Sequence, residues 1–254
     1  MFYHSCRDTL EESISSFKEK LKNCLVKTEC THWVGFTGVG KTFRHKLDPL
    51  YKSNRSNRTP MKYFSTLKEW AIAEYHLNVC RDYEADDAVA YFYKNPLDFY
   101  YKVICSPDKD LLLNFEGKHF NYTYKLENKE DLNSIIKGWW VETSKEDSEL
   151  TFWKSMICGD KADNIHGIEG KGEVFATKLF KESKIIEIFI NEILNCYKYK
   201  YGQSQGIYEF QKNYRLLHLL DSDEDFIREV GKLPNFPIIN EVMKQENDLN
   251  NIEF

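Results

Sequence analysis

The 254-residue sequence has no run of eighteen apolar residues, which excludes a membrane-spanning helix. Its opening, Met-Phe-Tyr-His-Ser-Cys-Arg, lacks a basic stretch leading into an apolar one, so no signal peptide is read. Paired cysteine motifs are missing too. The seven cysteines are odd in number and scattered, with no Cys-x-x-Cys. That argues against a disulfide framework and a cysteine zinc site, and it fits reduced thiols in a cytoplasm. Internal repeats and low-complexity tracts are absent. What is present suffices for a core: 42% of residues are hydrophobic and 15% aromatic, in a length suited to one large domain or two small ones.

The net charge of −5 argues weakly against a nucleic-acid partner, but the charge is unevenly spread. Lys41 to Lys68 holds eight Lys/Arg and one acid, Asp48; Asp221 to the end holds nine acids and three bases. A basic segment and an acidic tail thus offset each other in the total.

Apolar periodicity predicts a helix over 6–27, with Leu10, Ile14, Phe17, Leu21 and Leu25 on one face. Thr31–Phe36 reads as a short strand, and 37–60 as a polar, basic loop or exposed arch. Helices are expected over 61–77, with Phe64, Leu67, Ala71 and Tyr75 aligned, and over 84–94, before a stop at Pro96. Short strands are expected at 102–105 and 118–124, and helices at 148–158, 173–182, 184–197 and 205–220. Strands alternating with helices, then helices alone, predict an α/β sheet followed by a helical part.

Three acidic groups stand near element ends: Glu84, Asp86 and Asp87; Asp108 and Asp110; Asp160 and Asp163. Each alone is explained by helix capping or turn chemistry. Together they are more informative, because element ends of an α/β fold can converge. Glu84 and Asp87 share a helix face, and Asp108 and Asp110 share a side of an extended segment. Seven carboxylates brought together would repel one another unless cations neutralise them. Oxygen ligands without a His/Cys cluster favour Mg²⁺ or Mn²⁺ over zinc. A pair of such ions suits in-line attack on a phosphodiester. The turn Gly167-Ile-Glu-Gly170-Lys171-Gly172 directly follows the last acids and can present N–H groups to a phosphate.

A competing pattern lies at Gly35-Phe-Thr-Gly-Val-Gly40-Lys41-Thr42, which fits the phosphate-loop signature of nucleotide triphosphatases. The residues after it, Thr42 to Pro49, show little helical periodicity, so the helix such a loop needs is not expected.

Four blocks in order resemble the bacteriophage and bacterial 5′-3′ exonuclease and flap endonuclease family: Phe43-Arg44 with Tyr51-Lys52-Ser-Asn54-Arg55; Glu84-Ala-Asp86-Asp87; Ser106-Pro-Asp108-Lys109-Asp110; and Gly159-Asp160-Lys-Ala-Asp163-Asn164 with its glycine turn. They cover roughly residues 31–220. The resemblance implies a PIN-like parallel-sheet nuclease domain (1–145, with a basic arch at about 38–62), a helix-three-turn-helix region (146–220) and an acidic tail (221–254). It implies two Mg²⁺ or Mn²⁺ ions held by Glu84, Asp86, Asp87, Asp108, Asp110, Asp160 and Asp163. The catalytic set would be Lys52, Arg55, Asp86 and Asp108. DNA would be met by Arg44, Tyr51, Lys52, Arg55, Gly167, Gly170, Lys171 and Gly172, with Tyr51 stacking on an unpaired base. A K⁺ ion at the glycine turn is a further implication. The expected substrate is DNA with a 5′ flap, nick or free 5′ end, or an RNA–DNA hybrid. The enzyme would be a monomer working in replication or repair, in the cytoplasm (the host's, if the gene is a phage's).

Two departures stand out. The family carries an Asp on a first strand, whereas this sequence opens on a helix. Thr37 stands where a second family Asp is expected. A catalytically silent branched-DNA-binding protein therefore remains an alternative, as does the nucleotide binder suggested by residues 35–42.

Overall fold

The computed structural model describes residues 1–55, 59–95, 101–126, 135–183, 185–234 and 240–241. After the short α1 (Phe2–Ser5), Thr9 opens α2 (Leu10–Thr28). The Thr9 hydroxyl accepts from Glu12 N, and the Glu12 carboxylate accepts from Thr9 N, both at 3.2 Å. This reciprocal cap uses two backbone donors that the first turn leaves unpaired. Phe17, Leu21 and Leu25 are buried against Leu67, Ala71 and Tyr75 of a later helix, as their spacing predicted.

β1 (His32–Trp33) pairs antiparallel with a distant two-residue strand at 240–241, and β2 (Phe36–Thr42) follows it. α3 (Phe43–Leu47) comes next. These elements replace the arch read at about 38–62 by regular structure as far as Leu47. β2 pairs in parallel with β3 (Asn78–Asp82), Phe36 facing Asn78 and Val39 facing Arg81. Phe43 and Arg44 are buried. The phosphate-loop match therefore lies along a paired strand and not in a loop curled around an anion. The irregular part of the segment begins at Asp48 and includes one 3₁₀ turn, Ser53–Arg55; residues 56–58 lie outside the described set.

α4 (Phe64–Tyr75) is shorter than predicted, because Tyr63 and His76 take left-handed conformations at its two ends. α5 (Ala85–Lys94) follows β3 directly, with Glu84 as its N-cap; the predicted Pro96 stop lies outside the described residues. Of the strand expected at 102–105, one parallel bridge forms, Cys105 to Phe120. Phe120 N donates to Ile104 O at 2.8 Å and Ser106 N to Phe120 O at 3.0 Å. α6 (Lys109–Leu113) is capped by Asp108, which accepts from Asp110 N at 2.9 Å. β4 (Gly117–Leu126) pairs antiparallel with β5 (Ile135–Thr143), a strand the sequence reading did not contain.

The helical part comprises α7 (Lys145–Cys158), a two-residue hairpin of β6 (Gly159–Asp160) and β7 (Ile165–His166), then α8 (Glu173–Ser183), α9 (Ile186–Tyr201) and α10 (Gln203–Leu217). Met156, Ile157, Ile168, Ala176, Phe189, Ile193 and Tyr197 form its core. Tyr197 donates to Met156 O at 2.6 Å, and Asn213 Nδ2 donates to both Tyr197 Oη and His166 O at 2.7 Å. These bonds fix the start of the glycine turn against the helices.

The segment from 221, read as a tail, folds at least as far as Val230. α11 (Asp223–Val230) is capped by Ser222 and buries Phe226 against Tyr83, Ala88 and Leu220. Its acids fill the first helical turn, where they favour the macrodipole. β8 (Asn240–Glu241) is the partner of β1. Among the described residues, no helix is long and apolar enough to cross a membrane.

Candidate active site

Three chain segments deliver acids to one cleft. β3 runs into α5 and places Glu84 and Asp86 at a helix start. The 104–106 segment, bonded to Phe120, leads into the capped turn carrying Asp108 and Asp110. The β6–β7 hairpin carries Asp160 and Asp163. All six carboxylates line the same cleft, together with Tyr51, Lys52 and Arg55.

The basic side chains answer the acids directly. Lys52 Nζ lies 2.7 and 2.8 Å from the two Glu84 oxygens and 3.4 Å from Asp163. The Arg55 guanidinium donates to Asp163. Bonds to backbone carbonyls hold both residues in place: Lys52 N donates to Asp163 O at 2.9 Å, and the side-chain Nε of Arg55 to Ala162 O at 3.1 Å. Asn54 Nδ2 donates to Lys161 O and Asn164 Nδ2 to Leu50 O, so the 50–55 segment is stitched to the 161–164 loop. Sequence reasoning quoted both asparagines but gave them no role. Their signal was their place inside the motif blocks.

Lys52, Arg55 and Lys109, with an Arg44 already bound to Asp87, do not balance six carboxylates. Burial, then the charges of Asp108 and Glu84, push the Asp86 carboxyl up to about 7. Burial and then Asp108 raise Asp110 to about 6. Acids that resist ionisation beside one another are what a bound cation would relieve. The donors are all oxygen, which suits a hard divalent ion. The residues present therefore fit such a metal.

Three assignments from sequence change. Asp87 is fully buried and faces Arg44, not the cleft's acids. Arg44 donates to the two Asp87 oxygens at 2.7 and 2.8 Å, and also to Leu216 O and His218 O. Asp87 further accepts from Glu84 N at 2.9 Å and Leu220 N at 3.0 Å. With four donors on its two oxygens, Asp87 is committed to this clamp and not to a metal. Arg44, only 1% exposed, is closed to DNA. Tyr51 is 3% exposed, its ring packed with Ile165 and Leu216 and edge-on to His45 at 5.2 Å. A ring so enclosed presents no face to an unpaired base.

In the glycine turn, a Cβ on Gly167 would lie 2.1 Å from Ile157 O, so backbone crowding demands glycine. Gly170 has φ +78°, a left-handed conformation that glycine adopts freely. Gly172 meets neither constraint. Lys171 Nζ lies over the Phe175 ring, 3.7 Å from its centroid. His166 is exposed and outside the cleft. Thr37 is buried in β2 and does not line the cleft.

Comparison with known proteins bears on the family and the fold. The profile of the 5′-3′ exonuclease N-terminal resolvase-like domain matches residues 5–138. A 5′-3′ exonuclease of Mycoplasmopsis pulmonis is 30% identical over 179 residues, 69% of this chain and 59% of that protein. One from Aquifex aeolicus is 32% identical over 169 residues, 64% of this chain and 57% of that protein. The chain thus spans less than two thirds of either relative. The crystal structure of T5 D15 protein co-crystallised with metal ions shares the fold, with a TM-score of 0.58 at 22% identity, covering 86% of this chain and 87% of that one. The profile match, which spans more than half of the chain, makes it a member of the 5′-3′ exonuclease family.

Proposed function

We propose that the chain is a metal-dependent, structure-selective 5′ nuclease that hydrolyses phosphodiesters in DNA bearing a 5′ flap, nick or free end, and in RNA paired to DNA. The observation that carries this reading is the convergence of six carboxylates from three segments beside Lys52 and Arg55. The names of the relatives, 5′-3′ exonucleases, agree with it. Glu84, Asp86, Asp108 and Asp110 would hold one divalent ion, Mg²⁺ or Mn²⁺, and Asp160 and Asp163 would complete the position of a second. Bound there, the ions would supply Lewis-acid polarisation of the scissile phosphate.

The protein's own residues do the rest. Lys52 and Arg55, in the cleft wall, neutralise charge on the incoming phosphate and orient it. The 167–172 turn meets the duplex backbone, with a K⁺ ion as its cation partner, and binding there is sequence-independent and salt-sensitive. In this reading residues 1–145 act as the nuclease part and 146–220 as the duplex grip, in a monomer. The test is Asp108→Asn, which should abolish cleavage of a flap duplex and spare binding to it. Cleavage at the wild-type rate would overturn the reading.

A further inference from the structure

The Tyr51 hydroxyl lies 3.0 Å from Asp163 Oδ2 and 3.2 and 3.3 Å from the two Glu84 oxygens. A phenol has one proton to donate. Here it is shared between two carboxylates that belong to different chain segments, Glu84 at the start of α5 and Asp163 after β6. The ring cannot swing out, being buried against Ile165 and Leu216. Its backbone is equally tied: Tyr51 N donates to Asp48 O at 3.0 Å, and Lys52 N to Asp163 O at 2.9 Å. An ordinary phenol keeps its proton at neutral pH, so the hydroxyl is a donor. Lys52 makes a parallel link between the same two acids, but on a longer and more flexible side chain.

We propose that Tyr51 is a positioning residue that sets the separation between the Glu84 and Asp163 carboxylates, and so preorganises the cleft for divalent cations before any nucleic acid binds. This inference rests on the metal-binding reading of the cleft given above. It assigns to the hydroxyl, and not to the aromatic face, the reason for a tyrosine here. A rigid neutral donor holds two acids together without adding a third charge, and without competing with the cation for the site as a second lysine would. Ligands held in place by packing and hydrogen bonds spare an incoming ion the work of ordering them.

The variant Tyr51→Phe removes only the oxygen and keeps the ring. Mn²⁺ binding to the full chain, without DNA, is measured by electron paramagnetic resonance or calorimetry, wild type first. Absence of Mn²⁺ binding by the wild type would remove the metal reading itself, and with it this proposal. Given wild-type binding, Tyr51→Phe should weaken it by about tenfold, the scale of one hydrogen bond to a charged group. In an Asp163→Ala background, whose own loss of a ligand sets the reference, Tyr51→Phe should cost less than it does in the wild type, because the link it cuts is already partly broken. Unchanged Mn²⁺ affinity in Tyr51→Phe would overturn the proposal, even if cleavage were impaired, because that pattern belongs to a ring contact with substrate. Should Tyr51→Phe fail to fold, 3-fluorotyrosine placed at position 51 keeps the donor. Its ¹⁹F resonance should move with the diamagnetic Mg²⁺ titration, and a resonance that stays fixed while Mg²⁺ binds would contradict the bridge.

Discussion

Asp87→Asn should destabilise the metal-free protein, and its sign separates two roles for one residue. Asp87 is fully buried and holds Arg44 through two bonds of 2.7 and 2.8 Å, while the same guanidinium clamps Leu216 O and His218 O. Burial works against the charge of Arg44, and Asp87 more than restores it. Removing the negative partner leaves a desolvated guanidinium uncompensated. Breaking such a pair costs about 3–5 kcal/mol, a large part of the roughly 5–15 kcal/mol that typically holds a domain folded. If Asp87 were one more acid of the metal cluster, its neutralisation would relieve repulsion and raise metal-free stability. Equilibrium urea unfolding in EDTA decides between them. Stability equal to or above wild type would refute the clamp. The double variant Arg44→Met, Asp87→Leu should lose less than either single change, since an apolar pair leaves no buried charge behind.

Other expectations follow from the same geometry. Because the folded Asp86 carboxyl is raised to about 7 from an ordinary value of 3.8, the stability it lends is present in acid and lost as pH climbs. In EDTA, stability should therefore fall between about pH 4 and pH 7 by at most about 4 kcal/mol, read by thermal melts across that range. Saturating Mg²⁺ should reverse the trend, and a rise with pH in EDTA would contradict the crowding of acids. Phe226→Ala should cost about 3–5 kcal/mol in urea unfolding, because the ring is fully buried against Tyr83 and Leu220; a change under about 0.5 kcal/mol, typical of a surface site, would mean α11 is not packed there. Gly167→Ala should weaken duplex binding in a salt titration, since the added Cβ meets Ile157 O and must displace the turn; wild-type affinity would separate the turn from the duplex.

Local chemistry made part of this molecule legible. The Thr9-x-x-Glu12 cap and the Phe17, Leu21, Leu25 face announce α2, because both signals lie within a few turns of chain. The acids at 84–86, 108–110 and 160–163 were legible for the same reason: each pair sits at an element end with fixed short spacing. β2 was not legible. Gly38 and Gly40 erase its alternation, and its stability comes from pairing with β3, some forty residues away. β5 was hidden similarly, with Gly138 at φ +80° inside it. The Arg44–Asp87 clamp joins residues 43 apart in sequence, so no local pattern marks it. The burial of Tyr51 was not legible, because Ile165 and Leu216 close over the ring from segments more than a hundred residues away.

The most direct test of the central claim is cleavage of a 5′-labelled flap duplex by this 254-residue chain with Mg²⁺, with Mn²⁺ and with EDTA. The six clustered carboxylates predict short labelled 5′ products with either metal and none with EDTA. Salt-sensitive binding to the flap without metal-dependent cleavage would contradict the nuclease reading and leave a branched-DNA-binding protein in its place.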